Sequence, residues 1–245
     1  MHKVLAIVRR ELIAYFSSPL AYIVLTAFLL MQGCIFYLVV AFANEPGGPP
    51  NAPLHFFFGG FFFWLFLLFV VPAITMRLVA EERRSGTIEV LLTSPLSEGQ
   101  VIAGKFVAAL LFYLFLWLPT LVYVLILATY GEVDPGPVAA GYLGVALLGF
   151  LFLAVGVLMS TLSKNQLVAA ILAFAALLFL FIVVIFDDPR FGSTIQAVAS
   201  HMNVVDHMDS FKLGIVDTRH VVYFLSTGTF FLYLATKALE VKKWR

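Results

Sequence analysis

The sequence predicts an all-α polytopic membrane protein. Three observations carry that prediction. Hydrophobic residues fill 62% of the 245 positions and charged residues only 12%, about half the ~25% usual in soluble domains. The apolar residues gather into runs of about 18 or more with no charge in the middle, as expected of helices that cross a bilayer. Those runs use up nearly the whole length, so the sequence reads as one membrane domain over 1–245, with no room for a second, soluble unit. The net charge of +1 gives no case for nucleic-acid binding, and the single Cys34 excludes an intramolecular disulfide.

In chain order, residues 1–18 are expected to form an amphipathic helix. Leu5, Val8, Leu12 and Phe16 recur at helical spacing on one face, while Lys3 and Arg10, flanked by Arg9 and Glu11, lie on others. A short helix of this kind lies in a membrane surface. Ser17-Ser18-Pro19 then breaks it and turns the chain into the first span. Six spans are expected, at about 19–42, 55–79, 100–128, 138–161, 166–186 and 219–239. At ~1.5 Å per residue each can cross a ~30 Å hydrocarbon layer. Ala41-Phe42-Ala43 has the form of a signal-peptidase site, but the apolar run before it is too long for a signal peptide.

The second span opens on the aromatic cluster Phe56 to Trp64, read as an interfacial belt with packing. Ser97-x-x-Gln100 predicts a capping box at the start of the third span. Gly141, Gly144, Gly149 and Gly156 predict close helix packing in the fourth. Residues 187–218 are too apolar for a solvated loop and are expected to form short helices at or dipping into a membrane surface. Within them His201-Met202 and His207-Met208 invite a copper reading, since both residue types suit that metal, but their spacing fits no defined site.

Orientation follows from Lys and Arg. With the N-terminus inside, twelve of the fifteen fall in cytoplasmic segments, and only Arg190, Lys212 and Arg219 fall outside. Both termini are therefore expected in the cytoplasm. The spans carry no Asp, Glu, Lys or Arg at mid-depth. That argues against proton-coupled carriers, pumps with their own ion sites and intramembrane enzymes.

The charged exception is Glu81-Glu82-Arg83-Arg84-Ser85-Gly86-Thr87-Ile88-Glu89-Val90-Leu91-Leu92-Thr93-Ser94-Pro95. Gly86 and Pro95 bracket a predicted helix on which Ile88, Leu91 and Leu92 form one apolar stripe, with Glu89 near its start. The stretch resembles the cytoplasmic coupling helix of type-2 ABC exporter (ABC-2) permeases, E-E-[KR]-x-x-G-T-[IL]-E-x-L-L-x-x-P. The resemblance extends to Arg9-Arg10-Glu11-Leu12 through Ser18-Pro19, to Pro72 through Arg77, to Ile102-x-Gly104-Lys105, and to Gly214-Ile215-Val216-Asp217 before Tyr223-Phe224-Leu225. This combination looks closest to the permease subunit of gliding-motility-type ABC transporters.

The resemblance implies a non-catalytic, six-span half-transporter in the bacterial inner membrane. It would have an elbow helix (Leu5, Val8, Arg9, Arg10, Leu12, Phe16) and an ATPase-coupling segment (Glu81, Glu82, Arg83, Gly86, Thr87, Ile88, Glu89, Leu91, Leu92, Pro95). It would also have an outer re-entrant segment that includes His207, Phe211, Gly214 and Asp217. No G-x-x-x-x-G-K-[ST] occurs, so ATP and Mg are expected on a separate ATPase subunit, with no cofactor or metal on this chain. A second permease chain, the lipid bilayer and a periplasmic accessory subunit are the other implied partners. The function so implied is export or transmembrane force transmission. The alternatives are an exporter of lipid-like or drug-like molecules and a non-ABC channel or scaffold.

Overall fold

The computed structural model describes residues 2–43, 57–86, 97–130, 134–188, 190 and 192–243. The described residues are helical throughout, with short turns between helices. In order they are α1 (His2–Phe16), α2 (Pro19–Ala43), α3 (Phe61–Thr75), α4 (Ala80–Arg84), α5 (Glu98–Trp117), a 3-10 turn (Leu118–Thr120), α6 (Leu121–Tyr130), α7 (Pro135–Leu162), α8 (Gln166–Ile182), a second 3-10 turn (Val183–Asp187), α9 (Ser193–Met202), α10 (Val204–Lys212) and α11 (Thr218–Lys243).

Among the described residues, five segments are long and apolar enough to cross a membrane: Pro19–Phe42, Glu98–Thr129, Pro135–Leu162, Gln166–Asp187 and Thr218–Val241. The second expected span, 55–79, is shorter than its hydropathy suggested. It is the fifteen-residue α3, about 22 Å at ~1.5 Å per residue. Gly59-Gly60 delays its start, and beyond Pro72 the chain leaves the helix for a turn over 76–79. Residues 55 and 56 lie outside the described residues.

The breaks fall where the local chemistry put them. Pro19 opens α2 directly after Ser17-Ser18. Ser97 accepts the Gln100 amide at 3.3 Å while the Gln100 side chain accepts the Ser97 amide at 3.3 Å, completing the capping box of α5. Pro119 has no amide to give the preceding turn, so the third span narrows to a 3-10 turn between α5 and α6.

The centre of the bundle is α7, packed by α3, α5, α8, α10 and α11. Its glycines are sockets for side chains rather than contacts between backbones. A Cβ at Gly141 would stand 2.6 Å from the Phe58 ring, one at Gly144 2.8 Å from Phe211 Cβ, and those at Gly149 and Gly156 would overlap Tyr113 and Thr75. From α11, Gly228 is the reverse case, where a Cβ would meet Phe150 of α7 at 2.6 Å. The aromatic cluster splits. Phe57, Phe58, Phe63 and Trp64 are buried while Phe61 and Phe62 are exposed, so packing outweighs the expected belt.

Candidate functional site

The charged exception in the sequence begins where α3 ends. There the chain is held by groups from three other elements. Tyr15 of α1, fully packed, donates from its hydroxyl to the Ile74 carbonyl at 2.7 Å. Arg77 donates to Ser18 Oγ at 2.8 Å and lies over the Tyr15 ring at 4.7 Å. Val79 stands at the N-cap of α4 with no side-chain oxygen to cap it. Ser160, near the end of α7, supplies the cap from across the bundle. Its Oγ accepts the Val79 and Ala80 amides at 3.1 and 3.2 Å and donates to the Met76 carbonyl at 3.2 Å.

One turn further on, α4 brings Glu82 into a charge cluster. Arg10 reaches Glu11 at 2.7 Å and Glu82 at 2.6 Å, and Lys105 of α5 reaches each of the same two carboxylates at 2.9 Å. Two cations and two anions balance. The Lys105 side chain is 1% exposed, against 13% and 16% for Glu11 and Glu82 and 52% for Arg10. Burial alone would raise the Glu11 carboxyl, but Lys105 and Arg10 outweigh it and hold the group below its ordinary value. Burial opposes the Arg10 charge too, and Glu11 and Glu82 together raise it. A buried ammonium is tolerated only because both carboxylates meet it.

The predicted coupling residues therefore divide. Glu82 faces its own chain. Glu81 and Arg84 are exposed, and Arg83 is half-buried. Gly86 takes φ +73° just past the helix end, a left-handed position that glycine occupies without strain. Thr87, Ile88, Glu89, Leu91, Leu92 and Pro95 lie outside the described residues, and so does the apolar stripe they carry.

The elbow residues divide as well. Val8 is buried, Leu12 half-buried, and Leu5, Arg9 and Phe16 exposed. The stripe that packs on α5 is Ile7, Val8, Glu11 and Tyr15, rotated from the predicted one. Ile7 seats against Gly104. The predicted face instead lines an open groove of about 650 Å³ beside Leu111.

At the other end of the bundle, Phe211 and Met208 fill the socket at Gly144. Gly214, φ +81°, ends α10 in a Schellman turn, with Ile215 N–H to Ser210 O at 3.0 Å and Gly214 N–H to Phe211 O at 3.1 Å. Asp217 caps α11 by accepting the Arg219 amide at 2.8 Å. His207 stacks on Tyr223 at 3.9 Å and meets His220. Met208 is buried against α7 while His207 turns to α11, so these two neighbours point to different elements. Among the described residues no group of three or more His, Cys, Asp or Glu is placed to hold a metal.

Residues 44–202 match the family model described as ABC-2 family transporter protein. This chain belongs to the ABC-2 transporter family. A search of curated proteins returned no match. Members of the ABC-2 family are non-catalytic, multi-pass membrane subunits of ABC transporters, partnered by an ABC ATPase. The matched stretch contains Glu82, Lys105 and Ser160, while Arg10 and Glu11 lie before it.

Sequence reasoning missed Lys105, Ser160, Tyr15 and Arg77 as site residues. Lys105 did leave a signal, a lone cation among apolar residues one and two turns into a capped helix.

Proposed function

We propose that this ABC-2 chain couples ATP hydrolysis on a separate ATPase subunit to export or to force transmission across the membrane, as in gliding-motility-type transporters. The reading takes α3 as the second of six spans, α1 as the elbow helix in the membrane surface, and α9–α10 as the re-entrant pair on the outer side. Both termini and residues 81–95 face the cytoplasm of a bacterial inner membrane. ATP and Mg bind the partner ATPase, a second permease chain completes the pathway, and a periplasmic accessory subunit receives the motion.

One observation carries the reading. The segment leading into the expected ATPase-docking helix is bonded through Ser160 to α7, through Lys105 to α5 and through Arg10 to α1. A push on that segment is delivered to three elements at once. Spans that carry no charge at mid-depth suit amphiphilic cargo or a mechanical output better than an ion.

The test is co-expression with candidate ABC ATPases. An ATPase should co-purify, and Glu89→Lys or Leu91→Asp should release it while leaving the permease folded. Permease that purifies alone beside every ABC ATPase of its host, or that keeps its ATPase in both variants, defeats the proposal. The topology is tested separately: a cysteine at Thr87 should label only from the cytoplasm and one at Val205 only from outside.

A further inference from the structure

The bundle end carrying α9 and α10 holds a hydrogen-bonded chain that the permease reading does not use. His207 of α10 and His220 of α11 face each other with Nδ1 to Nδ1 at 2.6 Å. His207 Nε2 lies 3.2 Å from the His201 carbonyl, and His220 Nε2 lies 3.0 Å from Ser210 Oγ.

The tautomers follow by elimination. A carbonyl only accepts, so His207 carries its proton on Nε2, and its Nδ1 is left as an acceptor. His220 must then donate from Nδ1, which leaves its Nε2 to accept the Ser210 hydroxyl. The neutral chain runs Ser210 O–H to His220, His220 Nδ1–H to His207, and His207 Nε2–H to His201 O. Every polar hydrogen in it is used, and it ties α10 to α11 and to the last turn of α9.

The two possible added protons are not equivalent. The first can settle on His220 Nε2, because the Ser210 hydroxyl can rotate from donor to acceptor. The second has only His207 Nδ1, where it would point at the His220 N–H across 2.6 Å. Two donors cannot share that gap, and two imidazolium charges would repel there.

From these constraints we propose that His207 and His220 form a proton-operated latch, closed with zero or one added proton and opened by the second, which releases the α10 edge from α11.

The surroundings fit one cation but not two. From α10, Asp206 senses His220, and Asp209 is paired with Lys212. From the 3-10 turn, Asp187 contacts both Asp206 and the Asn203 amide, the latter at 3.0 Å. From α9 comes the His201 ring, edge-on to Tyr223 at 6.1 Å. From α11 come Tyr223 and Phe224 against His207, then Asp217 and Arg219 at the cap. Burial and the neighbouring His220 lower the His207 pKa, while its bond to the His201 carbonyl opposes them. Met208 and Phe211 stay seated on α7, so opening is confined to the histidine edge. The inference is independent of cargo and of the ATPase.

The experiment uses the full chain in lipid nanodiscs. Histidine-selective 15N spectra at pH 8 should report Nε2–H on His207 and Nδ1–H on His220. Spin labels at Val205→Cys on α10 and Val222→Cys on α11, in a Cys34→Ser background, should hold one distance from pH 8 until the pair binds its second proton. That step should fall below the ordinary range of a free histidine, since burial and the neighbouring ring both oppose it, and the distance should then lengthen. H207Q and H220Q should each remove the transition, and D206N should keep it. Other tautomers at pH 8, no distance change down to pH 4.5, or an unaltered transition in H220Q each overturn the latch. The tautomer measurement uses unmodified histidines, so it decides the matter even if a variant fails to fold.

Discussion

Replacing Lys105 with methionine keeps most of its volume and removes its charge. Glu11 and Glu82 would then share Arg10 alone, leaving one excess negative charge in a site where both carboxylates are more than four-fifths covered. Breaking a fully buried pair costs about 3–5 kcal/mol. Residual exposure of the carboxylates and the retained Arg10 reduce this to about 2–3 kcal/mol. At roughly 2–4 °C per kcal/mol for a chain of this size, the melting temperature should fall by about 4–12 °C.

The informative variant is the double one. Lys105→Met with Glu82→Gln leaves Arg10 facing Glu11, a balanced pair, and should recover at least half of the loss. The assay is thermal unfolding of the four proteins (parent, two singles, double) in one detergent, read as a double-mutant cycle. Additive losses, with a coupling below about 0.5 kcal/mol, would refute the claim that Lys105 and Glu82 belong to one network.

Three further predictions follow from other contacts. Ser160→Ala leaves two buried amides without an acceptor, at about 1–3 kcal/mol, and hydrogen exchange at Val79 and Ala80 should quicken before exchange elsewhere in the bundle. Gly149→Ala should overpack against the buried Tyr113 ring and cost about 1–3 kcal/mol, whereas Gly99→Ala, whose nearest neighbour is 3.8 Å away, should leave the melting temperature unchanged or raised. Because Glu11 is held below its ordinary value near 4.5, its contribution is complete above that pH and lost as pH falls through the lower folded-state value. A melting series from pH 7 to 3.5 should therefore drop more steeply for the parent than for Glu11→Gln.

What could be read from sequence was what neighbours in sequence decide. Pro19 opening α2, the Ser97–Gln100 capping box and the helical 187–218 segment rest on contacts within a few residues, and each is present. The glycines of α7 predicted close packing correctly, but not that rings would fill the gaps. The charge cluster was illegible because Lys105 and Glu11 stand 94 positions apart, and a single sequence carries no record of which distant segments meet. Counted at the cytoplasmic end of the third span, Lys105 also lent weight to the orientation argument, although it is the most buried cation of the site. The rotated face of α1 has a related cause: Leu5 and Ile7 are equally apolar, and only the notch at Gly104 decides which one packs.

The long central helix has a mechanical corollary. Ser160 grips the α3–α4 turn near one end of α7, and Gly144 receives Phe211 and Met208 near the other. Sixteen residue steps of unbroken helix separate them, about 24 Å at ~1.5 Å per residue. A hydrogen-bonded helix of that length neither stretches nor compresses appreciably, so it serves as a strut. Whatever tilts or slides the turn must tilt or slide the seat of α10 by a comparable amount, with no signal passing through the residues between.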